Sequence, residues 1–235
     1  MARYLPGHIY YGWYVAVGCS LLMLVGVGVG YYGLAVFLRP LQDEHGWSNA
    51  VVSGATGLYF AVSGLAGAIA GPALDRRGPR PFMLVGCVVI GISVSLIGLV
   101  DEVWQLYAVY TLLAVGFGLG TAVAVNSVMT KWFVARRARA MSISSTGISV
   151  GGVLLAPLGS WLIDRGGLDL ATPVLGAVVI LVAVPVIVFV IVPDPAQLDL
   201  RPDGLADAVP RDLPATLSDA VQLRTWTMAQ AARTQ

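Results

Sequence analysis

Three stretches of this chain carry residue types at spacings that do chemistry elsewhere. Gly28, Gly30 and Gly33 spell GxGxxG, the turn that lets backbone approach a dinucleotide's pyrophosphate when a strand precedes it and a helix follows. Gly147-Ile148-Ser149-Val150-Gly151 spells GxSxG, which presents a nucleophilic serine only on a strand-to-helix turn with a histidine base in reach. The run from Gly71 to Pro81, GPALDRRGPRP, crowds Asp75, Arg76, Arg77 and Arg80 together. Such a cluster can sit at an anionic lipid surface or engage a helix end.

The elements that must position these residues follow from composition. Of 235 residues, 57% are hydrophobic and 11% charged, with a mean hydropathy of +0.79. An ordinary soluble domain has roughly 25% charged residues. Charges are absent from six stretches, approximately 13–38, 51–74, 82–100, 104–128, 141–163 and 171–192, and gather between them. About 20 residues at 1.5 Å rise cross a hydrocarbon core of about 30 Å, so each stretch is long enough to span as a helix. The expectation is an all-α membrane protein with six transmembrane helices. Residues 1–12 form its N-terminus, 13–192 the membrane domain and 193–235 a tail rich in Asp, Arg and Pro that reads as flexible. Within that tail, Leu217 to Met228 reads as an amphipathic helix on the membrane. The first stretch is too long for a signal-peptide core and lacks a cleavage site, so it is expected to be retained. The partner implied is the lipid bilayer, and nucleic acid is not expected.

Arg3, Arg76, Arg77, Arg80, Lys131, Arg136, Arg137 and Arg139 fall on one side of such a bundle; Arg39 and Arg165 fall on the other. By the positive-inside rule both termini and the 75–80 and 131–139 loops are cytoplasmic.

In this setting the enzyme motifs lose their context. GxGxxG lies inside the first span and GxSxG inside the fifth, and the two histidines, His8 and His45, lie outside all six. No enzyme activity and no cofactor is expected. Cys19 and Cys87 fall inside spans without a Cys-x-x-Cys pattern and read as packing residues, with neither disulfide nor metal role. The glycines have a better use in lipid: Gly26 and Gly30, Gly67 and Gly71, Gly116 and Gly120, and Gly147 and Gly151 are each four apart, which lets helix backbones approach closely. Ser142, Ser145, Ser149 and Gly152 form one small polar stripe at helical spacing, either a helix contact or a cavity wall.

A shift of 88 positions lays Val62 on Val150, Gly64 on Gly152, Ala68 on Ala156, Gly71 on Gly159, Leu74 on Leu162, Arg77 on Arg165 and Gly78 on Gly166. The second span thus echoes the fifth. The two exit on opposite sides, as in an inverted 3+3 repeat.

GPALDRRGPRP resembles the loop between helices two and three of the major facilitator superfamily, with Gly71, Asp75, Arg76, Gly78 and Arg80 in the signature places. Other stretches are similar to the branch of monocarboxylate porters and oxalate:formate antiporters: Tyr11-Gly12-Trp13 before the first helix, Glu44-His45-Gly46-Trp47-Ser48 before the second, and Lys131-Trp132-Phe133 with Arg136, Arg137 and Ala140 before the fifth. Ser48 or Asn49 is placed to cap the second helix. Residues 200–204 and 217–220 resemble the branch's central loop. Three features depart from the pattern. Ser142 stands where a glycine is usual, the acidic residue before the first helix is absent, and helix four has no arginine between Tyr107 and Val128.

The resemblance implies one six-helix half-bundle of a twelve-helix secondary transporter in the cell membrane, moving small solutes, organic anions such as monocarboxylates, by alternating access. A C-terminal six-helix half or a second copy is the implied partner. Whether the chain is a truncated product, a split half or a homodimerising half is left open. The loop Gly71, Asp75, Arg76, Gly78, Arg80 is implied to latch the halves on the cytoplasmic side, or it only anchors topology. Gly71 and Gly78 would permit the reversal, Pro79 and Pro81 would delay the third helix, and Asp75 would engage nearby arginines or a helix N-terminus. Arg136 and Arg137 belong to the loop between helices four and five.

Candidate cavity residues are Tyr32, Arg39 at the outer end of the first helix, Asn126, Ser127, Ser145 and Ser149. No ionisable side chain lies within the six cores, so a proton-relay carboxylate or deep substrate-pairing arginine must come from elsewhere. The rival reading is a truncated or non-transporting six-helix subunit with a structural or partner-binding role.

Overall fold

The computed structural model describes residues 10–203, and among them every regular element is helical. The elements are α1 (Gly12–Gly30), α2 (Tyr32–His45), α3 (Asn49–Arg77), α4 (Pro79–Ile97), α5 (Val103–Gly120), α6 (Ala122–Trp132) and α7 (Arg137–Pro185), followed by a π-helical turn (Val186–Val190) and a 3₁₀ turn (Pro195–Leu198). Five continuous helical runs are long and apolar enough to cross a membrane, where six were expected: Gly12–His45, Asn49–Arg77, Pro79–Ile97, Val103–Trp132 and Arg137–Val190.

The last run holds two of the expected spans. Its 54 residues would extend about 80 Å if straight. The backbone leaves helical dihedrals at Gly166 (φ −152°, ψ 21°) and Gly167 (φ 66°, ψ −165°). The chain folds back there, since a β-carbon on Gly159 would lie 3.4 Å from Leu175 on the far side. The first leg, 137–165, follows α1 and α2 in the same direction, with Gly151 beside Leu24 and Gly28, and Gly159 beside Val36. The second leg runs against α4: Gly98 meets Leu168, Gly91 meets Gly176, and Arg80 reaches Val188.

Two expected spans are each split in two. Tyr31 (φ −113°, ψ −58°) separates α1 from α2, and Thr121 (φ −108°, ψ −118°) separates α5 from α6. Neither break is at a proline. Pro40, Pro72, Pro157 and Pro173 sit inside helices without ending them, which packed membrane bundles tolerate.

Helix ends follow local chemistry. The Ser48 hydroxyl accepts from the Val51 amide at 3.4 Å and caps α3. Gly78 (φ 81°, ψ 154°) makes the whole reversal between α3 and α4, in a region open essentially to glycine alone. Gly71 lies inside α3 and has no part in that turn. Pro79 is the first residue of α4 and Pro81 falls in its first turn. They start the helix where a delay was expected, because the missing N–H belongs to a position without an intrahelical partner.

Packing rests on small residues, as expected where lipid removes the hydrophobic drive between helices. Gly116 and Gly120 both meet Gly86, and Gly147 and Gly151 meet Ser20, Leu24 and Gly28. Gly71, by contrast, faces open space. Cys19 and Cys87 are buried and unpaired.

Candidate functional site

The two breaks are matched. A shift of 90 positions lays Gly26-Val27-Gly28-Val29-Gly30 on Gly116-Phe117-Gly118-Leu119-Gly120, and Tyr31 on Thr121. Each central glycine approaches the backbone of another element. A β-carbon on Gly28 would lie 3.1 Å from Gly151 Cα, and one on Gly118 would lie 2.5 Å from the Ser63 carbonyl oxygen. Ser63 and Gly151 are themselves paired by the 88-position shift. Two independent registers therefore converge on one contact, repeated on both sides of the bundle.

An aromatic chain surrounds the first break. Tyr31 packs edge-on against Tyr32 (5.2 Å between centroids) and Phe60 (5.6 Å), and Tyr59 links Phe60 (5.3 Å) to Phe117 (5.6 Å). The Tyr59 hydroxyl is buried with no hydrogen-bond partner among the described residues. Beside the second break a groove of about 330 Å³ opens between α3 and α5–α6, lined by Ser63, Gly67, Phe117 and Thr121 among others.

Of the candidate cavity residues, Tyr32 is half-buried and its ring lies over Gly152, at the end of the serine stripe. Ser145 and Ser149 on that stripe are exposed, and the Ser142 hydroxyl donates to the Ala138 carbonyl at 3.0 Å. Arg39 is exposed on α2, in line with exposed Tyr31 and Ala35. Asn126 is exposed on α6 one turn past Ala122, and Ser127 is half-buried with its carbonyl accepting from Thr130. The motif decoys are settled by their setting: GxGxxG straddles the Tyr31 break between two helices, and GxSxG is continuous α7.

At the arginine-rich end, Asp75, Arg76 and Arg77 are exposed. Arg80 differs, donating to the Val188 carbonyl at 2.5 Å. The Tyr11 hydroxyl donates to Val190 O at 3.1 Å and Trp132 Nε1 to Val192 O at 2.7 Å. Three side chains from three segments thus satisfy carbonyls left over where the last helix ends, a place where orphan acceptors need partners. Trp132 also meets Tyr11 and Tyr10 (5.7 and 5.8 Å), and Phe133 meets Trp13 (5.0 Å). The aromatic motif before α1 therefore packs on the one after α6. A β-carbon on Gly12 would run into the Tyr10 ring and meet the Phe133 ring at 3.0 Å.

Residues 193–203, read from sequence as flexible tail, are packed. Pro195 is buried, and Leu198 and Leu200 lie against the core. The Asp203 backbone pairs with the loop after α6, its N–H donating to Trp132 O at 3.0 Å and its carbonyl accepting from Val134 and Ala135. The linker and surface helix expected from 204 onward lie outside the described residues.

Sequence reasoning missed Tyr31, Thr121, Phe60 and Ser63. The signal that finds Tyr31 and Thr121 is the alternating glycine pentad, GVGVG and GFGLG, recurring at 90 positions, and Ser63 follows from its 88-position pairing with Gly151.

An all-helical bundle of apolar spans, broken at matched positions with a groove beside one break, fits a membrane-embedded solute carrier. The chain belongs to the major facilitator superfamily, whose sequence profile, described as Major Facilitator Superfamily, matches residues 19–232. Among curated relatives it is similar to an oxalate:formate antiporter of Oxalobacter formigenes, 31% identical over 176 residues that make 73% of this chain and 41% of the relative. It is also similar to monocarboxylate transporter 11 of Homo sapiens, 28% identical over 72% of this chain and 36% of the relative. With monocarboxylate transporter 2 of Meriones unguiculatus the identity is 26%, over 72% of this chain and 34% of the relative. The matched part of the chain thus spans well under half the length of these relatives.

Proposed function

We propose that this chain is the N-terminal half of a secondary transporter for small organic anions, crossing the membrane six times with both termini cytoplasmic. Gly166–Gly167 is the outer turn between the last two spans. The observation that carries the reading is the matched pair of breaks, with Gly28 on Gly151 and Gly118 on Ser63, as an inverted 3+3 repeat requires. The antiporter and monocarboxylate carriers among the relatives support the anion class.

In this mechanism the half rocks against a C-terminal half, or a second copy, around a midplane site. Its cavity face is Tyr31, Tyr32, Ser145, Ser149 and Asn126, with Arg39 drawing anions to the mouth by charge. The broken helices at Tyr31 and Thr121 put irregular backbone at membrane depth, which is tolerated where it lines a cavity. Exposed apolar side chains on α3 (Leu65, Ile69) and on the first leg of α7 (Val153, Leu154) offer a surface for the second half. Exposed Asp75 and Arg76 form the latch toward it, whereas Arg80, turned to Val188, holds this half together. The membrane is the cell membrane, plasma or bacterial inner.

The test is uptake and exchange of a labelled monocarboxylate and of oxalate in proteoliposomes holding this chain with a relative's C-terminal half. Saturable transport supports the reading. Insertion and assembly of both parts without transport of any organic anion overturns it in favour of a structural subunit.

A further inference from the structure

The start of α7 lacks a cap of its own. Its N-cap residue, Arg136, has φ −107° and ψ 25° and makes no side-chain capping bond. The partner comes instead from 67 residues further on, since Asp203 Oδ2 accepts from the Arg136 amide at 3.0 Å. In a capping box the N3 carboxylate reaches back to the same N–H. The negative charge also faces the positive end of the helix dipole. Around this contact the Tyr10 hydroxyl donates to Trp132 O at 3.1 Å or to Arg201 O at 3.0 Å. The Tyr10 phenol is pushed up to about 12, first by burial and then by the negative charge of Asp203. Phe133 and Asp203 pair as a short parallel bridge.

We infer that residues 193–203 are a strap closed across the arginine-rich end, and that Asp203 is a positioning residue which sets the start of α7. The loop 133–136, holding Arg136 and leading to Arg137, is thereby joined to the segment that continues past 203. Any pull on that segment is delivered to the first leg of α7 and its serine stripe at Ser142, Ser145 and Ser149, and not to the end of the last span. The consequence for transport rests on the proposed function; the strap itself does not.

The test is hydrogen exchange of the full chain in lipid nanodiscs, comparing wild type with Asp203→Ala and Asp203→Asn. In wild type the amides of Val134, Ala135 and Arg136 exchange at least tenfold slower than unprotected backbone. Asp203→Ala accelerates Arg136 about tenfold and leaves the α1 and α4 amides unchanged. Asp203→Asn, whose amide oxygen still accepts, keeps most of the protection. Unprotected 134–136 amides in wild type, or equal Arg136 exchange in all three proteins, overturns the inference. Because exchange needs no solute, failure here is distinguishable from failure of the transporter reading.

Discussion

Gly28 and Gly151 meet backbone to backbone, α1 against the first leg of α7, with no space for a side chain on either. Valine at Gly151 or Gly118 forces apart helices held mainly by close packing, a cost of about 1–3 kcal/mol or more. Thermal unfolding in detergent should show both variants well below wild type. Gly64→Ala, with nothing within 4 Å, should match wild type. A Gly151→Val protein as stable as wild type would refute the contact.

The two glycines of the loop signature should separate. Gly78→Ala places a β-carbon in backbone at φ 81°, ψ 154° and should cost about 1–3 kcal/mol. Gly71→Ala sits in a helix with open space beside it and should be neutral or stabilising by about 0.5–1 kcal/mol. Reversible unfolding curves of the two variants decide the matter, and equal effects would mean the turn lies elsewhere.

Asp75 and Arg80 should separate as well, by readout. Asp75→Asn, altering an exposed carboxylate, should leave stability within ±0.5 kcal/mol while abolishing transport when a second half is present. Arg80→Gln loses the bond to Val188 and should lower stability by on the order of 1 kcal/mol. Undiminished transport by Asp75→Asn would sink the latch.

Tyr10 should titrate late. Its folded value of about 12 lies above the ordinary value of about 10, so the folded state holds this proton more tightly than the unfolded one. Its contribution to stability is complete below pH 10 and is lost as pH rises from 10 through 12. Difference absorbance of phenolate between wild type and Tyr10→Phe should show one tyrosine ionising near pH 12, and one ionising near 10 would contradict the docked strap.

The all-helical, apolar character of the chain was legible in the sequence because lipid excludes charge, and that exclusion is written in single residues such as Asp75 and Arg165. The Ser48 cap was legible for the same local reason. The breaks at Tyr31 and Thr121 were not, because no proline marks them and the glycine pentads before them read equally as close-packing faces: which of the two they are depends on the helices that α1 and α5 settle against, a tertiary cause. Arg80 was read as part of the latch because it fills a place in the loop signature, whereas its partner, Val188, lies 108 residues away. Asp203 was assigned to a flexible tail on composition, and composition does not register a carboxylate that serves a helix made much earlier.

The carbonyls of Val188, Val190 and Val192, held by Arg80, Tyr11 and Trp132, bear on the order of assembly. All three donors lie upstream of their acceptors, so during synthesis the seat is built from three separate pieces before its occupant emerges. The last helix arrives as a keystone: its insertion draws the entry to α1, the start of α4 and the end of α6 into register at once. Until then those donors lack these acceptors, and a ribosome stalled before Val188 should hold a bundle whose ends are loosely joined and open to proteases.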